Sequence, residues 1–224
     1  MCGRFGLSLS GDQLRELLEL EDEEILENEP RFNIAPGQDL LALRQVDGRS
    51  QATRLRWGLI PSWAKDAKIA HKLINARSET VSERPSFRSA FRHRRCLVPS
   101  DGFYEWRRAG KLREPHHIGL KGGEAFFFGG LWESWVEPST GEVHETTTLL
   151  TTSPNELVAP IHDRMPVIVR PEHQKPWLAG VMDGVDEVFR PYEASKMESW
   201  LVGPRVNKPI VDDPQLRVRQ ATLF

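Results

Sequence analysis

Residues 40–60 read LLALRQVDGRSQATRLRWGLI, in which two apolar-rich runs are separated by Asp47-Gly48. An Asp-Gly pair supplies the positive φ angles that a tight hairpin turn requires, so residues 40–46 and 51–60 are predicted to form a β-hairpin. Similar short apolar-rich runs recur along the rest of the chain, and the segments between them are too short for long helices. They predict strands at 73–77, 95–99, 102–107, 116–120, 125–132, 143–151 and 165–169. This spacing favours a mainly antiparallel α+β fold.

The helices are expected to be few and short. Four leucines between residues 14 and 20 follow Ser10-Gly11 at helical spacing, so a helix is predicted to begin near residue 12. Other short helices are expected near 78–92, 153–160, 171–179 and 193–199. Neither a repeat nor a linker divides the sequence. Residues 1–224 are therefore predicted to form a single domain, which is large enough to bury a sizeable core.

The composition narrows the class of protein. Hydrophobic residues make up 39% and charged residues 28%, as in ordinary soluble proteins, and no apolar run approaches the roughly 20 residues of a membrane span. The residues after Met1 do not form an apolar signal stretch, so a cytoplasmic protein is expected. The two cysteines, Cys2 and Cys96, lack metal-ligand spacing, which argues against a structural zinc site.

The net charge of −2 conceals a strong asymmetry. Residues 12–29 contain nine acidic side chains and one basic one, whereas residues 77–113 contain ten basic and four acidic ones. Within the basic region, four arginines have helical spacing and could form a cationic stripe: Arg84, Arg88, Arg92 and Arg95. Such a region suits a polyanionic partner, but two solvated faces of opposite charge would give the same pattern.

Cys2 carries the most distinctive chemistry. Once Met1 is removed, residue 2 bears an α-amine and a thiol on adjacent carbons. Their ordinary pKa values, about 8 and about 8.5, leave both partly deprotonated near neutrality. Such a 1,2-aminothiol reacts with an aldehyde by forming an imine and then closing a five-membered thiazolidine ring. The alternative is that Cys2 is an incidental small residue near a disordered terminus.

Three further residues are candidates for chemistry. Glu105 lies between two aromatic residues on a predicted strand, where its carboxyl pKa can be raised, although it could equally face solvent. His162 has the ordinary pKa range of a proton shuttle, although a lone histidine is more often a packing residue. Asn75 could hold an amine through its amide, although it could also be a turn residue.

Six segments, in one order along residues 1–166, resemble the SOS-response-associated peptidase (SRAP) family, whose members shield abasic sites in single-stranded DNA. Each segment alone is a weak signal, but six in register with cysteine at position 2 are highly specific. The segments are MCGR at residue 1, RFNIAP at 31, WGLIPSW at 57, NARSET at 75, RRCLVPSDGFYEW at 94 and HDRMP at 162.

The resemblance implies a role for each matching residue. Cys2 would be the nucleophile, with its amine and thiol both bonded to C1′ of the opened sugar, and Asn75 would orient the amine. Glu105 and His162 would assist proton transfer. Arg4 and Arg77 would contact phosphates beside the lesion. The strand channel would be shaped by Pro36, Trp57, Trp63 and Trp106.

The resemblance also implies an SRAP-like fold and a protein that acts as a monomer, without metal or organic cofactor, in the cytoplasm and on the nucleoid when bound to DNA. Self-processing peptidase and lyase activities would accompany capture, although ordinary methionine removal would suffice to expose Cys2. Two alternatives remain open at this point. One is a cysteine peptidase that uses Cys2, His162 and Glu105. The other is a non-covalent binder of single-stranded nucleic acid, held by charge and aromatic stacking.

Overall fold

The computed structural model describes residues 2–19 and 29–220. Residues 20–28 of the acidic stretch, with five of its nine acidic side chains, lie outside the described residues. Thirteen strands are found in the described part of the chain. They are β1 (Phe5–Leu7), β2 (Arg31–Ile34), β3 (Asp39–Val46), β4 (Arg49–Trp57), β5 (Asn75–Arg77), β6 (Arg95–Ser100), β7 (Gly102–Ala109), β8 (Leu112–Leu120), β9 (Phe126–Val136), β10 (Val143–Thr152), β11 (Met165–Pro166), β12 (Ile168–Val169) and β13 (Met197–Leu201).

The strands form two sheets. One is antiparallel, with five strands in the order β13-β8-β7-β1-β2. In the other, the pairing path β4-β3-β6-β9-β10 returns from β10 to β4 and closes on itself, with β5, β11 and β12 attached to it. Only β10 pairs in parallel within the described residues, with β4 and β5. The predicted α+β fold, rich in antiparallel strands, is confirmed.

The hairpin predicted from Asp47-Gly48 is present. Strands β3 and β4 pair in unbroken register from Asp39 opposite Arg56 to Val46 opposite Arg49. Both turn residues have positive φ angles, 50° at Asp47 and 77° at Gly48, as a two-residue hairpin turn of the favoured twist requires. The conformation of the Asp47-Gly48 turn therefore sets the register between β3 and β4.

Four α-helices lie at the periphery: α1 (Gly11–Leu18), α2 (Arg88–His93), α3 (Pro171–Leu178) and α4 (Val185–Val188). Helix α1 begins where it was predicted, because the Ser10 side chain accepts from the backbone N–H of Gln13 and the Gln13 side chain accepts from that of Ser10. Every helix in the described residues is too short or too polar to cross a membrane.

Two helix predictions are wrong and a third is too long. Residues 153–160 form turns, because the Asn155 side chain accepts from the N–H groups of Leu157 and Val158. Residues 193–199 form a brief 3₁₀ turn that leads into β13, which pairs with β8. The helix predicted over 78–92 is confined to α2, after a 3₁₀ turn at Ser78–Thr80 and the interruption at Pro85.

The hydrophobic core lies between the two sheets and fixes β1. Phe5 on β1 packs edge-on against Trp57 of β4 and Phe128 of β9, with ring centroids 5.4 and 5.5 Å away. All three side chains are buried. Aromatic pairs at this distance and tilt are favourable beyond the area they bury. This packing holds the chain immediately before β1, which carries Cys2, in a fixed position against the second sheet.

Candidate functional site

Cys2 lies at the junction of the two sheets. Its side chain is fully buried, and its thiol is 3.9 Å from the carbonyl of Arg4. The backbone carbonyl of Cys2 accepts a hydrogen bond of 2.8 Å from Nδ2 of Asn75, on β5. Asn75 therefore fixes the backbone of the cysteine across 73 residues of sequence. Asn75 Oδ1 is also buried, with no hydrogen-bond donor among the described residues, so it is placed to accept from an amine nearby.

Glu105 on β7 approaches the same cysteine. Its side chain is only 2% exposed, and burial raises the pKa of its carboxyl above the ordinary value. Burial also raises the pKa of the Cys2 thiol strongly, and the charge of Glu105 raises it further. Both effects favour the protonated form of the thiol, whereas the ordinary pKa used in the sequence analysis left it partly ionised.

His162, on the segment between β10 and β11, joins this group through Glu105. A positive charge on its ring would lower the pKa of the Glu105 carboxyl and so oppose the effect of burial. Its Nδ1 accepts from the backbone N–H of Arg164 at 3.0 Å and lies 2.9 Å from Oδ1 of Asp163. These contacts fix the orientation of the ring.

An ion pair that the sequence did not point to fixes this segment. Arg164 donates to both carboxylate oxygens of Glu79, at 2.6 and 2.9 Å, and to the carbonyl of Thr151 at 2.6 Å. The hydrogen bonds from Arg164 lower the pKa of the Glu79 carboxyl. Glu79 directly follows β5, so this pair ties the His162 segment to the strand that carries Asn75. The only sequence signal was that both residues lie within recognised segments.

The residues predicted to contact DNA occupy different positions around the cysteine. Arg4 is half-buried and donates to Oδ1 of Asn33 at 2.9 Å and to the carbonyl of Val206 at 2.7 Å. Trp106 is half-buried and donates to Oδ1 of Asn207 at 2.7 Å. Both therefore contact the segment around residue 207.

The three other positions are more open or lie on loops. Trp63 is exposed over 58% of its surface, Arg77 is exposed, and Pro36 is half-buried on the loop after β2. Each keeps a surface that a strand could contact.

Two predicted surface residues are instead part of the interior. Trp57 is 1% exposed and donates to the carbonyl of Ile74 at 2.8 Å, so it supports the core and cannot stack on a base. Arg95 is 3% exposed, lies over the rings of Phe91 and Trp177, and has its pKa lowered by burial to about 10. The predicted cationic stripe thus loses one of its four members.

The second cysteine offers a contrast with the first. Cys96 on β6 is fully buried, and burial raises the pKa of its thiol to about 12. Its thiol lies 3.5 Å from the Thr147 hydroxyl, in the interior of the protein. A carboxylate, Glu105, affects the pKa of the Cys2 thiol, whereas Arg44 is the charged group that affects the pKa of Cys96. Cys96 is therefore an internal control for the chemistry of the first cysteine.

The sequence model of the SOS response associated peptidase (SRAP) family matches residues 1–209. The chain belongs to this family. It is 43% identical over 222 residues to the abasic site processing protein YoqW of Bacillus subtilis, covering 96% of this chain and 98% of that one. It is 29% identical over 188 residues to the abasic site processing protein YedK of Escherichia coli, covering 82% of each.

A crystal structure of a protein from Bacteroides thetaiotaomicron has the same fold, with a TM-score of 0.88, 26% identity and coverage of 98% of this chain and 100% of that one. The SRAP fold therefore extends over nearly the whole chain. Within it, segments that are distant in the sequence meet at Cys2. Asn75 comes from one sheet, Glu105 from the other and His162 from a connecting segment.

Proposed function

We propose that this SRAP protein binds single-stranded DNA at abasic sites and captures them covalently through the α-amine and thiol of Cys2. The observation that carries the proposal is the convergence of Asn75, Glu105 and His162 on one cysteine at position 2. The names of the two relatives, both abasic site processing proteins, support the same substrate.

The raised pKa of the Cys2 thiol supports an order of steps in which the amine reacts first. The amine of Cys2, exposed by removal of Met1, adds first to the aldehyde carbon C1′ of the opened abasic sugar. Loss of water then gives an imine. The thiol adds to the imine carbon, its proton ends on the nitrogen, and a neutral thiazolidine ring results. One C–N and one C–S bond form, one water is released, and no oxidant or reductant is needed.

The neighbouring residues have distinct parts in these steps. Asn75 Oδ1 accepts from the amine and directs its lone pair toward the sugar. Glu105, with its raised pKa, delivers a proton to the departing hydroxyl and then takes one from the thiol. His162 exchanges protons with Glu105 and the sugar oxygen. Arg4 and Arg77 bind flanking phosphates, while Pro36, Trp63 and Trp106 bound the path of the strand.

The test is a denaturing gel with an oligonucleotide that contains one abasic site. Protein whose mass shows that Met1 is absent should give a band that survives heating in detergent, and an intact oligonucleotide should give none. Free migration of the abasic strand would leave only the non-covalent binder. Salt should dissociate such a complex but not the covalent adduct.

Matched cysteine variants separate the amine from the thiol. Cys2→Ser keeps the amine, so it should form little stable adduct but be trapped by borohydride, which reduces imines. Cys96→Ala should capture DNA like the wild type, because that thiol is enclosed. Adding one residue before Cys2 should abolish both outcomes, because an amide nitrogen is not nucleophilic. Full capture by such a blocked protein would overturn the mechanism and favour the thiol-only attack of a peptidase.

A further inference from the structure

The hairpin formed by β7 and β8 carries a concentration of positive charge that the proposed capture chemistry does not use. Its exposed basic side chains are Arg107, Arg108, Lys111 and Arg113. Arg107 donates to Oε2 of Glu114 from Nε and a terminal nitrogen, at 2.9 and 2.7 Å. Within residues 2–19 and 29–220, the other three basic side chains form no ion pair.

The two faces of this hairpin differ in charge. Arg107 is paired in register with Glu114, and on the opposite face Arg108 is paired with Arg113. Side chains alternate between faces along a strand, so one face is neutralised and the other is positive. Like charges directly opposite each other destabilise a sheet. An exposed Arg–Arg pair is therefore unfavourable unless a negatively charged partner neutralises it.

The positive face continues toward Arg4, which is two residues from Cys2 in the chain and contacts Val206 and Asn207. Trp106 precedes Arg108 by two residues, so it lies on the same face, and its indole donates to Asn207. The carbonyl of Asn207 accepts from Arg4 at 3.4 Å, and the exposed Lys208 follows it. Basic side chains therefore lie at both ends of this surface, Arg4 and Lys208 at one end and Arg108 and Arg113 at the other, with Trp106 and Asn207 between them.

The length of the hairpin sets its reach. At about 3.3 Å per residue, Arg108 and Arg113 opposite it lie about 10 Å along the strand from the level of Glu105, and the Gly110-Lys111 turn lies about 16 Å from it. Stacked nucleotides advance about 3.4 Å each along one strand. The basic part of the hairpin therefore lies level with the backbone about three to five nucleotides from a sugar held at Cys2.

We propose that the β7–β8 hairpin is a phosphate-binding arm that binds the DNA backbone to one side of the abasic site, about three to five nucleotides away. Its position relative to the lesion rests on the proposed function. Its contact with phosphate requires only that the protein binds DNA. Because phosphate contacts carry no base information, the arm contributes affinity that is independent of sequence.

The test uses an oligonucleotide in which a tetrahydrofuran ring replaces the abasic sugar, since this ring has no aldehyde and cannot be captured. Fluorescence anisotropy at several salt concentrations gives the slope of log affinity against log salt. Removing two phosphate contacts with Arg108→Gln/Arg113→Gln should reduce its magnitude by about 1.4, from about 0.7 for each contact with a single strand. The control Arg49→Gln/Lys121→Gln removes the same charge from two other exposed turns and should leave the slope unchanged.

Shortening the DNA locates the arm. With only two nucleotides left on the side that the arm contacts, wild type and double variant should bind equally, whereas shortening the other side should preserve their difference. Annealing a complement to the contacted side shows whether the arm holds one strand or a duplex. Equal slopes on every substrate, a difference that survives shortening of both sides, or the same loss in the control would overturn the proposal.

A parallel assay separates this inference from the proposed function. On abasic DNA at low salt, the double variant should reach the wild-type yield of crosslink, and it should unfold at the same or a higher temperature because a like-charge pair is gone. If wild type does not crosslink but still has a steeper salt slope than the double variant, the proposed capture is wrong and the phosphate-binding arm is supported. If wild type crosslinks but the two slopes are equal, the capture is supported and the arm is wrong. If wild type does not bind DNA, both proposals are wrong.

Discussion

At the scale of single residues, the buried carboxyl of Glu105 lowers the stability of the folded protein. Burial raises the pKa of its carboxyl, so the folded protein binds this proton more tightly than the unfolded chain does. A raised pKa of an acid means that stability falls as pH rises from the unfolded value, about 4.3, through the folded value, and the deficit then persists at higher pH. In the proposed mechanism, this protonated carboxyl is the group that donates a proton.

We expect Glu105→Gln to slow capture while leaving the affinity for DNA and the fold intact. Gln keeps the shape of the side chain but cannot carry a proton between the hydroxyl, the thiol and His162. The first-order rate of crosslinking should fall by about a hundredfold, in the usual range for general acid–base catalysis, with an unchanged dissociation constant on tetrahydrofuran DNA.

The same variant should be at least as stable as wild type above pH 5 in chemical denaturation, since the penalty of a buried acid is gone. Parallel losses of affinity and stability would show that Glu105 is a structural residue. A capture rate equal to that of wild type would remove it from the mechanism.

At the scale of elements, the site depends on how the His162 segment is attached to β5. The Arg164–Glu79 pair makes that attachment, and Arg164 is mostly buried while half of the Glu79 side chain is exposed. Because of this exposure, the pair contributes modestly to global stability, up to about 1 kcal/mol. Its importance lies in geometry, since it sets the distance between the segments that bear Asn75 and His162.

Glu79→Gln should therefore slow capture by about tenfold with little change in unfolding free energy, because a small displacement of an orienting group is costly in the transition state. The affinity for tetrahydrofuran DNA should stay unchanged, since the groups that contact phosphate are still in place. The matched control is Glu193→Gln, which removes an equally exposed partner of Arg170 far from Cys2 in the sequence. Equal effects of both variants would reduce Glu79 to a general surface contact.

At the scale of the whole molecule, one buried ion pair joins distant parts of the chain. Arg217 donates to both carboxylate oxygens of Asp101, at 2.9 and 2.5 Å, and Asp101 also accepts from the backbone N–H of Ser8 at 3.0 Å. Burial by itself would raise the pKa of Asp101, but the bonds from Arg217 and Ser8 outweigh it and lower the pKa below the ordinary value. The pair links the segments after β1 and β6 to the last described turn.

Asp101→Asn should lower the unfolding free energy at pH 7 by about 3–5 kcal/mol, because it leaves Arg217 without its charge partner in a largely buried position. A lowered folded pKa gives stability that is present above about pH 4 and is lost as pH falls through the folded value. The difference between variant and wild type in urea denaturation should therefore shrink as the pH falls through the lowered pKa of Asp101.

The comparison for this variant is Glu187→Gln, which breaks the exposed pair with Arg190 and should cost no more than about 0.5 kcal/mol. A loss of similar size in both variants, or a difference that does not depend on pH, would contradict this account.

Sequence by itself determined the features that depend on adjacent residues. Asp47-Gly48 specified the β3–β4 hairpin, Ser10 and Gln13 began α1, and cysteine at position 2 supplied an amine and a thiol on neighbouring carbons. These features follow from local backbone preference and covalent structure, which depend only on a residue and its neighbours in the chain. The three short strands β1, β2 and β13 escaped prediction because such strands are stabilised by their partners and carry little pattern of their own.

Tertiary structure alone decided which of these residues are accessible and how they titrate. It buried Trp57 and Arg95, which look like surface aromatics and cations in the sequence, and it raised the pKa of the Cys2 thiol. It also brought Asn75 to the Cys2 carbonyl and Arg164 to Glu79, across 73 and 85 residues. Burial and pairing are properties of the packed surroundings, because desolvation and hydrogen bonding depend on atoms contributed by other segments.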